Sequence, residues 1–101
     1  MGQLSINNIN LAFDDTGSGR PVILLHGYPF NRTLWDRQVA ALRTNFRVIT
    51  PDLRGFGESD AAEPAAMARM AQDVAALMDA LNIPRAISGG LSMGGYVVLS
   101  F

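Results

Sequence analysis

Residues 22–25, Val-Ile-Leu-Leu, form an unbroken apolar run that follows Pro21 and ends at His26-Gly27. A strand with one face in water alternates apolar and polar positions. A run with no polar break suits a strand covered on both faces, as in a parallel sheet flanked by helices. "FRVITPD" at 46–52 repeats the pattern, and "RAIS" at 85–88 reads as a third, shorter strand. The segments between them have helical spacing. Thr33 is placed to cap a helix that carries Trp35, Val39 and Leu42 on one face. Met67, Met70, Val74, Leu77 and Leu81 recur at steps of three and four, with Asn82 and Pro84 as the stop. These methionines read as core packing. "MGGYVVLSF" opens one more helix. Ahead of all this, Leu4, Ile6, Ile9, Leu11 and Phe13 alternate around Asn7-Asn8, which predicts two short strands or a hairpin turning there.

Alternating strands and helices of this kind predict an α/β fold, a mostly parallel sheet with flanking helices. In such sheets ligands bind beyond the carboxyl ends of the strands. Three loops fall there: "HGYPFN", "PDLRGFGESD" and "GGLSMGG".

Composition removes several functions. At 101 residues the chain is read as a single domain, 1–101. With 49% hydrophobic and 17% charged residues it has a globular balance. The net charge is −1, and the eight basic residues, all Arg, are scattered, so no face for nucleic acid or anionic lipid is expected. Without cysteine there is neither a disulfide nor a thiolate nucleophile, and with one histidine a zinc site is not expected. No cofactor or metal is implied. The start "MGQLSINNIN" lacks the basic and apolar regions of a signal peptide, and no apolar stretch is long enough to span a bilayer. The expectation is a soluble cytoplasmic protein.

Gly90-Leu91-Ser92-Met93-Gly94 fits the G-x-S-x-G pattern, in which a sharp strand-to-helix turn presents a serine hydroxyl. Glycines at 90 and 94 allow the close backbone approach such a turn needs. The bare pattern arises by chance in about 3% of chains this long. Its position, after one predicted strand and before one predicted helix, is the stronger signal. The plainer readings are a glycine-rich helix start or a phosphate loop. The latter fits poorly, because there is no G-x-x-x-x-G-K-[ST] and no lysine. Ser92 is therefore the candidate nucleophile. The N–H of Met93 and the N–H of Tyr28, in "LLHGYP", are the candidate oxyanion donors. Pro29 stiffens that loop. His26 has two readings, with loop shaping beside Gly27 favoured over general base. Phe30 and Trp35, with Tyr28, read equally as pocket lining or core. In "DLRGFGESD", Asp52 and Arg54 are expected to pair and brace the loop, a reading favoured over Asp52 as a catalytic acid, with Gly55 and Gly57 allowing its path.

Together "LLHGYPFNRTLWDRQVAAL", "VITPDLRGFGESD" and "GGLSMGGYV" resemble the α/β-hydrolase fold, in its esterase and cofactor-free haloperoxidase-like members. The resemblance spans nearly the whole chain and corresponds to the front part of the family's domain, up to the helix after the nucleophile. It implies Ser92 as nucleophile, Tyr28 and Met93 at the oxyanion-hole positions, and His26-Gly27 shaping the hole. A small ester is the implied substrate. Serine at the elbow argues against the epoxide hydrolase and haloalkane dehalogenase branches, which use Asp there.

The family's order is Ser, then Asp or Glu, then His. After Ser92 the 101 residues hold no acidic residue and no histidine. An acyl-enzyme formed without that base is expected to turn over weakly. The alternatives are a catalytically silent, oligomerising fragment of the fold, and a module that binds small acids or esters. A homo-oligomer is expected, formed through the elbow strand as an exposed edge and through the C-terminal helix.

Overall fold

The computed structural model describes residues 2–7, 9–27, 30–60, 67–91 and 93–100; the side chains of Met67, Met93, Tyr96, Leu99 and Ser100 lie outside the described set. Ser92, Tyr28 and Pro29 also fall outside it.

The chain opens with strands β1 (Gly2–Ile6) and β2 (Ile9–Gly17), antiparallel and in register from Gly2↔Phe13 to Ile6↔Ile9. This is the hairpin alternative, and Asn7 supports its tight turn with a left-handed φ of 49°. Strand β3 (Arg20–Leu25) follows, then a short 3₁₀ turn (Arg32–Trp35), helix α1 (Asp36–Leu42) and strand β4 (Phe46–Pro51). Helix α2 (Met67–Ala80), strand β5 (Ile87–Gly90) and helix α3 (Met93–Ser100) complete the order. The sheet order is β1-β2-β4-β3-β5. The parallel part is β4-β3-β5, with Val22 level with Val48 on one side and Ile87 on the other. The hairpin extends it antiparallel through β2.

The unbroken apolar run of β3 does have two covered faces. Ile23 and Leu25 belong to a core with Ile49, Leu11, Met70, Val74, Leu77 and Val97, so α2 and α3 lie on that side. Val22 and Leu24 turn to the other side with Val48, where Trp35, Val39 and Leu42 pack on them. Alternation along one strand thus feeds two cores. Trp35 is in this second core, half-buried, whereas Phe30 is 49% exposed.

Two local expectations are corrected. The cap at the start of the 31–42 segment is Asn31, whose side-chain oxygen accepts from the Thr33 N–H at 3.0 Å. A single 3₁₀ turn precedes the α-helix, which moves the cap two residues earlier than Thr33. Asp52 and Arg54 do not pair with each other. Asp52 meets Arg32, and Arg54 meets Asp73 on α2. Each has a partner distant in sequence, and all four side chains are at least nine-tenths buried.

The end of α2 follows from Asn82. It adopts φ 58°, Ile83 N–H donates to the Met78 carbonyl at 2.9 Å, and Asn82 N–H donates to Asp79 at 3.1 Å. This pair of bonds is a Schellman stop, with Ile83 and Met78 joined to the core. No helix among the described residues is long and apolar enough to cross a membrane.

Candidate active site

Strands β4, β3 and β5 end side by side at Pro51, Leu25 and Gly90. The three glycine-bearing loops therefore converge at one end of the sheet, where an open α/β sheet binds its ligands.

The loop after β5 is packed against the backbone of β3. Leu91 N–H donates to the Leu25 carbonyl at 3.1 Å, and Gly94 N–H donates back to the Leu91 carbonyl at 3.0 Å. Helix α3 begins at Met93. A Cβ at Gly94 would overlap the Leu25 carbonyl oxygen and lie 2.6 Å from that of His26. A Cβ at Gly90 would overlap Gly94 itself. Neither glycine has a left-handed backbone, so crowding is what excludes side chains at both positions. Met93 is the first residue of α3, where backbone N–H groups have no acceptor within the helix. Ser92, between the described residues Leu91 and Met93, lies outside them.

The loop after β3 begins at His26, which is fully buried. Its Nε2 accepts the Leu53 N–H at 2.9 Å, so that nitrogen is unprotonated. The hydrogen then resides on Nδ1, which donates to the Gly27 carbonyl at 3.0 Å. Burial holds the imidazole pKa below its ordinary value of 6.5, against the upward pull of the Gly27 carbonyl and the Asp52 charge. The Phe56 ring meets it edge-on, with centroids 5.3 Å apart. The Gly27 carbonyl also accepts from the Phe30 N–H at 2.8 Å. Tyr28 itself lies outside the described residues.

Arg32 is the residue that sequence reasoning passed over. Its Nη1 bonds Asp52, its Nη2 bonds Glu58 at 2.5 Å, and its Nε lies 3.2 Å from Asp14. Burial alone would lower the guanidinium pKa. The Glu58 hydrogen bond and the Asp52 and Asp14 charges outweigh it and hold the pKa above the ordinary range. The signal was weak: an arginine directly after the "HGYPFN" loop, its three partners 18 or more positions away. Among the described residues no group of three or more His, Asp or Glu side chains is placed to hold a metal ion.

A parallel sheet whose strand ends gather a His-Gly loop and a glycine-crowded junction between β5 and α3 defines a hydrolase-like architecture. Residues 20–101 match the family described as alpha/beta hydrolase fold, and the chain belongs to it. It is 40% identical over 96 residues to the AB hydrolase superfamily protein YisY of Bacillus subtilis, covering 93% of this chain and 36% of that one. It is 37% identical over 100 residues to a soluble epoxide hydrolase of a Corynebacterium species, covering 98% and 35%. Among solved structures it superposes on an esterase from Thermogutta terrifontis, malate bound, with TM-score 0.92 and 47% identity, over 99% of this chain and 39% of that one. The chain spans about a third of the length of the curated relatives it matches.

Proposed function

We propose that this chain carries the nucleophile and oxyanion-hole part of a serine hydrolase that cleaves carboxylic esters. Ser92 attacks the carbonyl, and the amides of Met93 and Tyr28 receive the negative charge that forms on its oxygen. The observation that carries the reading is the 91–94 turn, seated on the carbonyls of Leu25 and His26 at the carboxyl end of the parallel strands. The likeness to an esterase supports it.

The likeness to an epoxide hydrolase leaves the reading unchanged. Attack of a serine hydroxyl on an epoxide would give an ether, which water at an oxyanion hole does not cleave. A carboxylate nucleophile gives an ester, which it does, and position 92 is Ser.

The reading gives His26 the loop-shaping role, since both its ring nitrogens are engaged. The proton acceptor and the acid that orients it are then supplied from outside these 101 residues. The test is labelling of the full-length protein by a fluorophosphonate, alongside hydrolysis of p-nitrophenyl esters. Both should vanish in Ser92→Ala. Labelling that survives the substitution, or no labelling of the native protein, overturns the reading.

A second reading rests on a separate observation. β5 is an edge strand of the described sheet, and Ile87 on it is 50% exposed. We infer that β5 and α3 of one copy of these 101 residues pair with those of another, as an unpaired edge favours. A monomer at micromolar concentration in analytical ultracentrifugation would refute this.

A further inference from the structure

The loop after β3 is gripped at two points by two consecutive residues that follow β4. At its start, Leu53 N–H donates to His26 Nε2 at 2.9 Å. At its far end, the Arg32 N–H donates to Asp52 Oδ1 at 2.6 Å. The bond from Phe30 N–H to the Gly27 carbonyl lies between these two. The Asp52 carboxylate is fully buried and is itself held from the other side. Glu58 N–H donates to its Oδ2 at 2.9 Å, and the Arg32 guanidinium bonds the same oxygen. Gly57, at φ 54°, leaves room where a Cβ would overlap that carboxylate. The Asp52 backbone is fixed too, its N–H donating to the Ala12 carbonyl at 2.8 Å. The charges are arranged for this. Asp14 on β2 and Glu58 hold the Arg32 side chain over Asp52, with that side chain only 10% exposed.

We propose that Arg32 and Asp52 are positioning residues that set the path of the 27–31 loop. Building on the esterase reading, they steady the loop to which that reading assigns one of the two oxyanion donors. Neither touches the reacting atoms. They act through the loop, as a rigid second support must if a donor is to be aimed before the charge appears. A hydrogen bond to an ionised group is stronger than one between neutral partners, which explains a carboxylate rather than an amide as the anchor.

The test uses the full-length protein with Asp52→Asn, Arg32→Met and Arg32→Lys. Amide hydrogen exchange is followed at Phe30 and Arg32, with Leu11 and Ile49 as references in the sheet. In Asp52→Asn and Arg32→Met the loop amides should exchange tenfold faster or more, with the references unchanged. In ester hydrolysis kcat should fall about tenfold or more with KM within about twofold, since a misplaced donor costs transition-state binding. Arg32→Lys should recover part of the loss. Loop exchange that stays at the native rate overturns the proposal. So does faster exchange with kcat unchanged. If native hydrolysis proves independent of Ser92, the esterase reading fails, and exchange still decides whether the two residues hold the loop. Should Asp52→Asn not fold, Arg32→Met decides, because it removes the guanidinium without altering the Asp52 carboxylate.

Discussion

Arg54 and Asp73 meet through two parallel hydrogen bonds, Nε to Oδ2 at 2.8 Å and Nη2 to Oδ1 at 2.9 Å, with side chains 2% and 1% exposed. Asn7 of the β1–β2 turn donates to the same Asp73 oxygen at 2.9 Å. One carboxylate thus ties the front hairpin, the β4 loop and α2 together. Asp73→Ala strands a buried guanidinium and should cost roughly 3–5 kcal/mol by urea denaturation. Replacing both partners at once, Arg54→Met with Asp73→Leu, should recover most of that loss, because the desolvated charges go together. A double variant as unstable as the single one would show that the hydrogen bond from Asn7 matters more than the ion pair.

His26 makes stability depend on pH. Its folded pKa lies below 6.5, so below that value the unfolded chain binds a proton that the folded chain refuses. Its contribution is complete above about pH 6.5, declines as pH falls, and levels off once the folded imidazole protonates. Protonation of Nε2 also removes the acceptor for Leu53. Urea midpoints measured from about pH 8 down to about pH 5 should fall, and His26→Gln should flatten that portion of the curve. Equal slopes in the two proteins would contradict the assignment.

Gly94→Ala places a methyl against two backbone carbonyls that no side-chain rotation can relieve. Overpacking typically costs about 1–3 kcal/mol, and a backbone obstacle puts this substitution at or above the upper end. Soluble Gly94→Ala protein should also lose fluorophosphonate labelling, since the turn that closes on Leu91 must shift. Native stability and labelling in this variant would mean that α3 enters by another path.

Core and surface should separate cleanly. Leu77 is fully buried between α2 and the sheet, and Leu77→Ala should cost about 2–5 kcal/mol. Arg47 bonds Asp15 through Nε at 2.9 Å and Nη2 at 2.6 Å, yet more than a quarter of each side chain is exposed. Arg47→Ala should cost no more than about 1 kcal/mol, and less in high salt. Thermal melts of the two variants side by side are sufficient.

Much of the architecture was legible because it is written in local periodicity. The uninterrupted run at 22–25 announced a strand between two layers, and the three-and-four spacing from Met70 to Leu81 announced α2. Asn82 and Pro84 marked its end, and Asn82 does carry the left-handed turn. What local pattern cannot carry is the identity of distant partners. Asp52 and Arg54 stand two apart and of opposite sign, so they invite pairing. Beyond the end of β4 they part, one to Arg32 and the other to Asp73. Likewise "HG" signals a bend but not that the imidazole accepts the Leu53 amide, 27 positions further on. The cap at Asn31 was missed for a smaller reason: Asn and Thr are both good caps, and a 3₁₀ turn before the helix moves the start.

Val48 has Thr16 level with it on one side and Val22 on the other. Those two residues belong to successive strands joined by only Ser18 and Gly19, yet they stand roughly 10 Å apart with a third strand between them. The short connection therefore cannot zip up by itself as a local ribbon. A nascent chain that has emerged only as far as Asn45 has the front hairpin available to it and nothing to pair with Val22. When residues 46–51 arrive they complete two ladders in a single insertion. Assembly of this sheet is tied to an event that crosses some thirty positions of sequence, which makes it slow to begin and cooperative once begun.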